Sequence, residues 1–332
     1  MTSFDYHQLR TEAQRALDGA SVSPRRLVAI HSGVSIGIGL LLSVLSYLLQ
    51  QGIAGTGGLS GIGMRTVLET CQMVLQLANT ILLPFWAMGY IRAVLQWTTW
   101  EKTEPSVLLQ GFRNWGPVLR LQILQGILYV ALMILGGQLA SVIYLMTPAA
   151  QDVYAQMQQV LASGITDSAA LLESEAYLEA TMAMAPYILI GALVFVAPMA
   201  YRLRFASYVL MDVPQMGAMR SMLLSWHMTR RNCLALLKLD LRFWWFYLAQ
   251  LLIAALGYGD LLLPLLGVEL GISADAAMFG FYIAALICEF ALFVWQKNRV
   301  FTLYGMVYRQ LTASREEPPQ PQPQPKNVPW NY

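Results

Sequence analysis

Residues 201–242 read YRLRFASYVLMDVPQMGAMRSMLLSWHMTRRNCLALLKLDLR. The stretch holds Arg202, Arg204, Arg220, Arg230, Arg231, Lys238 and Arg242, a third of the chain's 21 Lys and Arg. Long apolar runs flank it, and beyond each run lies a segment with no Lys or Arg. A basic belt between two apolar runs is the pattern of a segment held at a membrane surface.

Composition points the same way. Of 332 residues, 57% are hydrophobic and 12% charged, against roughly 25% charged in an average soluble domain. A core of this size does not use that much apolar surface, so lipid must be part of the solvent. The net charge of +2 is small, and the placement of charges along the chain carries more information than their sum. Cys71, Cys233 and Cys288 have neither metal-type nor disulfide-framework spacing.

Six apolar runs are long enough to span, at about 27–49, 65–90, 118–146, 184–205, 243–264 and 277–295. The first follows a polar segment, 1–26, and exceeds the roughly 7–15 apolar residues of a signal-peptide core, so it reads as an uncleaved span. Within that segment, residues 8–18 form an amphipathic helix with Leu9, Ala13, Ala16 and Leu17 on one side and Gly19 as its stop. The acidic segment 147–181 reads as a helical hairpin outside the membrane. The last residues, 312–332, include a Pro/Gln repeat and read as a disordered tail. All cations but Arg65 fall on one side of this six-span arrangement. By the positive-inside bias that side is cytoplasmic, with both termini inside. The expected fold is therefore an all-α polytopic membrane bundle, with an interfacial amphipathic helix between spans four and five.

Polar residues inside spans are the candidates for function. On span two, Arg65, Glu69, Gln72, Gln76 and Asn79 recur every three or four residues and form one polar seam, with Arg65 and Glu69 placed to pair. Such a seam either lines a hydrated path or binds neighbouring helices together. On span six, Glu289 shares a face with Tyr282 and Gln296. An unpaired carboxylate there costs about 2.5–3.5 kcal/mol or more, so Glu289 is partnered, protonated or facing water. His31, at comparable depth on span one, is a candidate partner, and packing between buried helices is the plainer reading. In the belt, Asp212 followed by Pro214 has the form of a helix N-terminus. On one continuous helix Arg220, His227, Arg231, Lys238 and Arg242 share a strip. That strip docks anionic lipid head groups or an acidic cytosolic partner, or it is ordinary positive-inside topology with snorkelling side chains.

Tyr208, Asp212, Pro214, Ser225, Leu239-Asp240-Leu241-Arg242-Phe243, Gly257-Tyr258-Gly259, Pro264 and Phe281-Tyr282 follow Pro198 in order. In this pattern the chain resembles a family of bacterial multi-pass integral membrane proteins of unknown function (the domain of unknown function 975 type). Ala16-Leu17-Asp18-Gly19 and Gly111-Phe112 match more weakly. Met199, Arg231, Arg242 and Leu265 depart from the family's usual residues. The resemblance implies a fold and a bacterial plasma-membrane location, and it brings no activity.

No His-Glu-x-x-His, Gly-x-Ser-x-Gly or phosphate-loop motif is present, so neither an enzyme, a cofactor nor a metal site is expected. Cations that track the interface do not read as a nucleic-acid surface. Two functions stay open. One is a non-catalytic scaffold, assembly or lipid-contacting module, with the belt or the Pro-rich tail facing a cytosolic protein. The other is a small-solute transporter with a polar path along spans two and six, which the lack of an internal repeat between 27–146 and 184–295 disfavours.

Overall fold

A computed structural model describes residues 5–55, 62–148, 150–151, 155, 158, 175–259 and 274–316. Every regular element among them is helical. Five helices are long and apolar enough to cross a membrane, and there are six if two helices bent by 67° form one span. The expected all-α polytopic bundle is thus the observed architecture. The predicted acidic hairpin and the Pro/Gln repeat lie wholly or largely outside the described residues. The chain divides into two compact units, Met1–Leu119 with Phe205–Tyr332, and Arg120–Arg204.

The first unit begins with α1 (Tyr6–Asp18), capped by Asp5, whose carboxylate accepts from the amides of His7 (2.9 Å) and Gln8 (3.4 Å). Its buried side chains are Leu9, Ala13, Ala16 and Leu17, the stripe its spacing predicts. Then come α2 (Pro24–Gly55), α3 (Ile62–Thr98), a 3₁₀ turn at Pro105–Leu109, α4 (Gln110–Arg113) and the start of α5 (Trp115–Leu145). The rest of α5 and α6 (Glu175–Leu203) make the second unit. There Gly136 and Gly191 bring the two helices together at backbone distance, and Tyr144 meets Tyr187 with centroids 5.1 Å apart. This pairing is antiparallel, and small residues at the contact are how helices associate without a hydrophobic drive.

The chain re-enters the first unit through α7 (Ala206–Asp212), a 3₁₀ turn at Pro214–Met216, α8 (Ala218–Thr229), α9 (Cys233–Arg242) and α10 (Trp244–Gly257). It ends with α11 (Ala274–Leu292), a π-turn at Phe293–Lys297 and α12 (Asn298–Glu316). Cross-contacts set the directions. Gly52 lies against Leu68 while His31 stacks on Trp86, so α2 and α3 are antiparallel. Trp245 meets Trp295 while Gly259 meets Phe281, so α10 and α11 are antiparallel.

At one end of this unit the helices expose large apolar side chains such as Leu41, Leu48, Met73, Leu77, Leu251 and Ile287. At the other end they bury theirs, including Leu27, Val94, Trp97, Leu210, Val307 and Leu311. Exposed apolar surface at one end and a dry core at the other is what a bundle half in lipid requires. At 1.5 Å per residue α3 is about 55 Å long, against about 30 Å of hydrocarbon, so much of it stands outside the lipid as part of this cap.

Four expectations are corrected. The helix that holds span two does not stop near residue 90: α3 passes through Pro84 and continues to Thr98. The helix that holds span six does not end at 295: it runs on through Lys297 to Glu316, and its later half packs on α1 and α3. Span five keeps its expected start at 243, where α9 ends and α10 begins at a bend of 67°. The belt is several helices rather than one. Thr229 Oγ1 bonds the carbonyls of Ser225 (2.8 Å) and Trp226 (3.3 Å), and Asn232 Nδ2 bonds that of Met228 (3.1 Å). Side chains that bond nearby backbone compete with helix continuation, and here they flank the turn at Arg230–Asn232. Asp212, finally, ends α7 instead of opening a helix. Its carboxylate takes both Nη atoms of Arg309 (2.9 and 3.1 Å) and the Tyr308 hydroxyl (3.0 Å), with Arg92 Nη1 at 3.8 Å.

Candidate functional site

Glu289 lines a cavity of about 970 Å³ walled by α2, α10 and α11. Close approach of α10 to α11 fixes one side of it. A Cβ on Gly259 would sit 2.7 Å from Phe281, and one on Gly257 would touch Ala285 at 3.6 Å. Ser43 Oγ and the Tyr282 hydroxyl, 3.2 Å apart, hold α2 to α11. Between these seams the walls are Leu40, Val44, Ile253, Ala254 and Phe279, with Ser43, Gln250, Tyr282 and Glu289 as polar groups. No cation lines the cavity, and among the described residues Glu289 forms no ion pair. An apolar concavity with a few convergent polar groups is the usual form of a binding site for an apolar or amphiphilic molecule.

His31 does not meet Glu289. Its Nδ1 lies 3.4 Å from Lys297 Nζ, and its ring stacks on Trp86 (5.8 Å, 16°) beside Tyr90 (4.8 Å). Trp86 Nε1 donates to the His31 carbonyl at 2.9 Å. The ammonium of Lys297 sits over Phe293 (4.4 Å), Tyr90 (5.2 Å) and Phe301 (5.8 Å), a cation–π cage. A contact between a lysine and a neutral histidine makes Nδ1 the acceptor and leaves the ring proton on Nε2. Among the described residues no carboxylate stands at ion-pair distance from this ammonium, and the cage and the His31 contact surround it while the charge of Glu289 acts on it from farther away.

The seam of span two is on the surface at Arg65, Glu69 and Gln76 and partly buried at Gln72 and Asn79. Arg65 and Glu69 pair at 2.8 Å with side chains 61% and 51% exposed. Gln76 is exposed, Gln72 and Asn79 are half-buried, and none of the five lines the cavity. The basic strip is also dispersed. Arg220, His227, Arg231, Lys238 and Arg242 are all exposed, distributed over α8, the following turn and α9.

Only Arg242 of that strip reaches a second concavity, a groove of about 810 Å³ between α1 and the junctions of α9 with α10 and of α11 with α12. Arg10, Arg15, Arg242 and Arg299 line it, with His7 and the 6%-exposed Gln296, and no Asp or Glu does. The Arg242 guanidinium lies 4.3 Å over the Tyr6 ring, which meets Phe243 edge-on. Local reading missed this site because its cations come from three distant segments. The one available signal was that Arg10 and Arg299 border the apolar stripes by which α1 and α12 pack. Among the described residues no His/Cys/Asp/Glu cluster could hold a metal. Compared with protein-family models, curated proteins and solved structures, the chain gives no significant match.

Proposed function

We propose that this chain is a non-catalytic, lipid-contacting module of the bacterial plasma membrane, with α1 and α12 on the cytoplasmic side. The cavity between α2, α10 and α11 seats the apolar part of an amphiphile. The observation that carries this reading is the cavity itself: about 970 Å³, apolar walls from three spans, and a short polar row. A second observation supports the non-catalytic half. The residues behind the family resemblance sit at packing junctions. Asp212 holds Arg309, Ser225 Oγ accepts from the Phe205 amide (3.1 Å), Asp240 accepts from Tyr304, and Gly259 abuts Phe281. Residues spent on joining helices are not free to react with a substrate.

The test is lipid retention by the purified chain. Val44→Trp and Ala254→Trp each place an indole in the cavity, and native mass spectrometry counts the lipids that remain. Loss of a tightly held lipid in both variants, with the thermal midpoint kept, is the expected outcome. An unchanged lipid count in both refutes the reading.

Small-solute transport keeps one observation in its favour, the intramembrane Glu289 at the cavity wall. Its other half, a path along span two, has lost support, because Glu69, Gln72, Gln76 and Asn79 lie away from the cavity. Solute flux into liposomes that is abolished by Glu289→Gln favours transport over lipid binding.

A further inference from the structure

We infer that the groove between α1 and the α10 and α12 helices is a specific site for the phosphate of an anionic phospholipid. This rests on the reading above and names the head group of the amphiphile whose chain occupies the cavity. The first argument is charge. Arg10, Arg15, Arg242 and Arg299 converge on one groove that no carboxylate lines. Among the described residues none of the four has an ion-pair partner. Guanidinium forks match phosphate oxygens bidentately. Arg242 is also pre-positioned on the Tyr6 ring, which lowers the ordering cost of binding.

The second argument is depth. Groove and cavity share two helices in sequence. On α10, Trp245 lines the groove and Gln250 the cavity; on the α11 side, Gln296 lines the groove and Glu289 the cavity. Five and seven residues at 1.5 Å each separate them by roughly 7–10 Å along the axis. Half the hydrocarbon thickness is about 15 Å, so one lipid with its phosphate in the groove has its chain alongside the cavity. Phe243, Trp244 and Trp245 open α10 at the boundary between the two, where Trp is enriched in membrane proteins because its ring prefers the head-group level. A free phosphate or an acidic peptide uses the arginines and leaves the adjoining apolar cavity without a role.

The experiment uses the full chain in detergent, titrated with phosphatidylglycerol or phosphatidylcholine and read by native mass spectrometry. Arg242→Gln/Arg299→Gln is compared with Arg220→Gln/Arg231→Gln, which removes the same charge from exposed belt positions. The groove pair is expected to weaken phosphatidylglycerol binding by about tenfold or more, the scale of one lost charge-assisted bond. The belt pair should change it less than about twofold, and phosphatidylcholine should respond to neither. Arg242→Lys/Arg299→Lys, which retains charge but not the fork, should recover part of the loss. Equal weakening by groove and belt pairs overturns the inference in favour of diffuse surface attraction. Full displacement of the lipid by millimolar inorganic phosphate overturns it in favour of a soluble-anion site. Ala254→Trp separates the two readings. If it leaves lipid binding intact while the groove pair abolishes it, the cavity reading fails and the head-group site stands.

Discussion

Replacing Asp212 by Asn should destabilise the chain more than any change to its other close ion pair on α3, although the two pairs have nearly the same length. Asp212 accepts three short bonds, from the two Nη atoms of Arg309 and the hydroxyl of Tyr308, at 2.9, 3.1 and 3.0 Å. Its side chain is 19% exposed, and Arg92 stands at 3.8 Å. Breaking a buried pair costs about 3–5 kcal/mol because the remaining charge is left uncompensated. Partial exposure, and the one bond that Asn still accepts, lower this to about 2–4 kcal/mol. Arg65 and Glu69 also pair at 2.8 Å, but with 61% and 51% exposure near the N-terminus of α3, so that pair contributes about 0.5 kcal/mol or less. At about 2–4 °C per kcal/mol for a unit of this size, Asp212→Asn should lower the thermal midpoint in detergent by about 4–16 °C. Glu69→Gln should move it by about 2 °C at most. Asp212→Asn/Arg309→Met should fall short of the sum of its single variants by about 1 kcal/mol or more, the mark of direct coupling. A midpoint for Asp212→Asn within about 2 °C of the wild type, or equal shifts at the two pairs, refutes the reasoning that exposure and partner number outweigh distance.

Other outcomes follow from the packing. Gly89→Ala places a Cβ 1.9 Å from the Leu108 carbonyl oxygen, and Gly111→Ala places one 1.9 Å from that of Phe85. Backbone must move in both, so each should cost at least the roughly 1–3 kcal/mol of overpacking and reduce the monodisperse fraction in gel filtration. Gly136→Ala, 2.5 Å from the Gly191 oxygen, should lower the midpoint of the second unit. Gly126→Ala on the same helix meets nothing within 4 Å and should be neutral or raise it by up to about 1 kcal/mol. Tyr304→Phe removes the hydroxyl that donates to Asp240 and leaves that of Tyr247 at 3.3 Å, for a loss of about 1–2 kcal/mol read as a lower midpoint.

Local patterns in the chain were readable where the environment along one element is uniform. The buried stripe of α1 followed from spacing alone, because one apolar face against a partner helix needs only a 3.6-residue period. The spans followed from apolar length. Asp212 was misread because a short Asp-x-Pro pattern has the form of a cap, whereas its partner Arg309 is 97 residues away and leaves no local signature. The span-two seam was correctly periodic, yet period does not say which way a face points, and here it points outward at Arg65, Glu69 and Gln76. Of the groove arginines only Arg242 stood out in the sequence, and Arg10, Arg15 and Arg299 did not for the reason Arg309 did not. Each is an ordinary cation until α1, α9 and α12 bring them together.

Span six shows most directly how one local irregularity organises both concavities. Lys297 and Arg299 have the form of a membrane exit, and cations at the end of an apolar run normally mark one. Helix continues instead, with the π-turn at Phe293–Lys297 inside it. A π-turn closes on i+5, so residues beyond it are set back by about one position, roughly 100° around the axis. Without that offset Tyr282, Glu289 and Gln296 share one face. With it, the face of α11 that carries Tyr282 against Ser43 continues as Lys297 against His31. Gln296 is turned toward the groove, alongside Arg299. The same offset therefore buries the lysine in its aromatic cage and separates an acid-lined cavity in the apolar layer from a base-lined groove at its edge. An extra residue in one turn is enough to place opposite charges at two depths of one continuous helix, which is the arrangement a head group and its chain require.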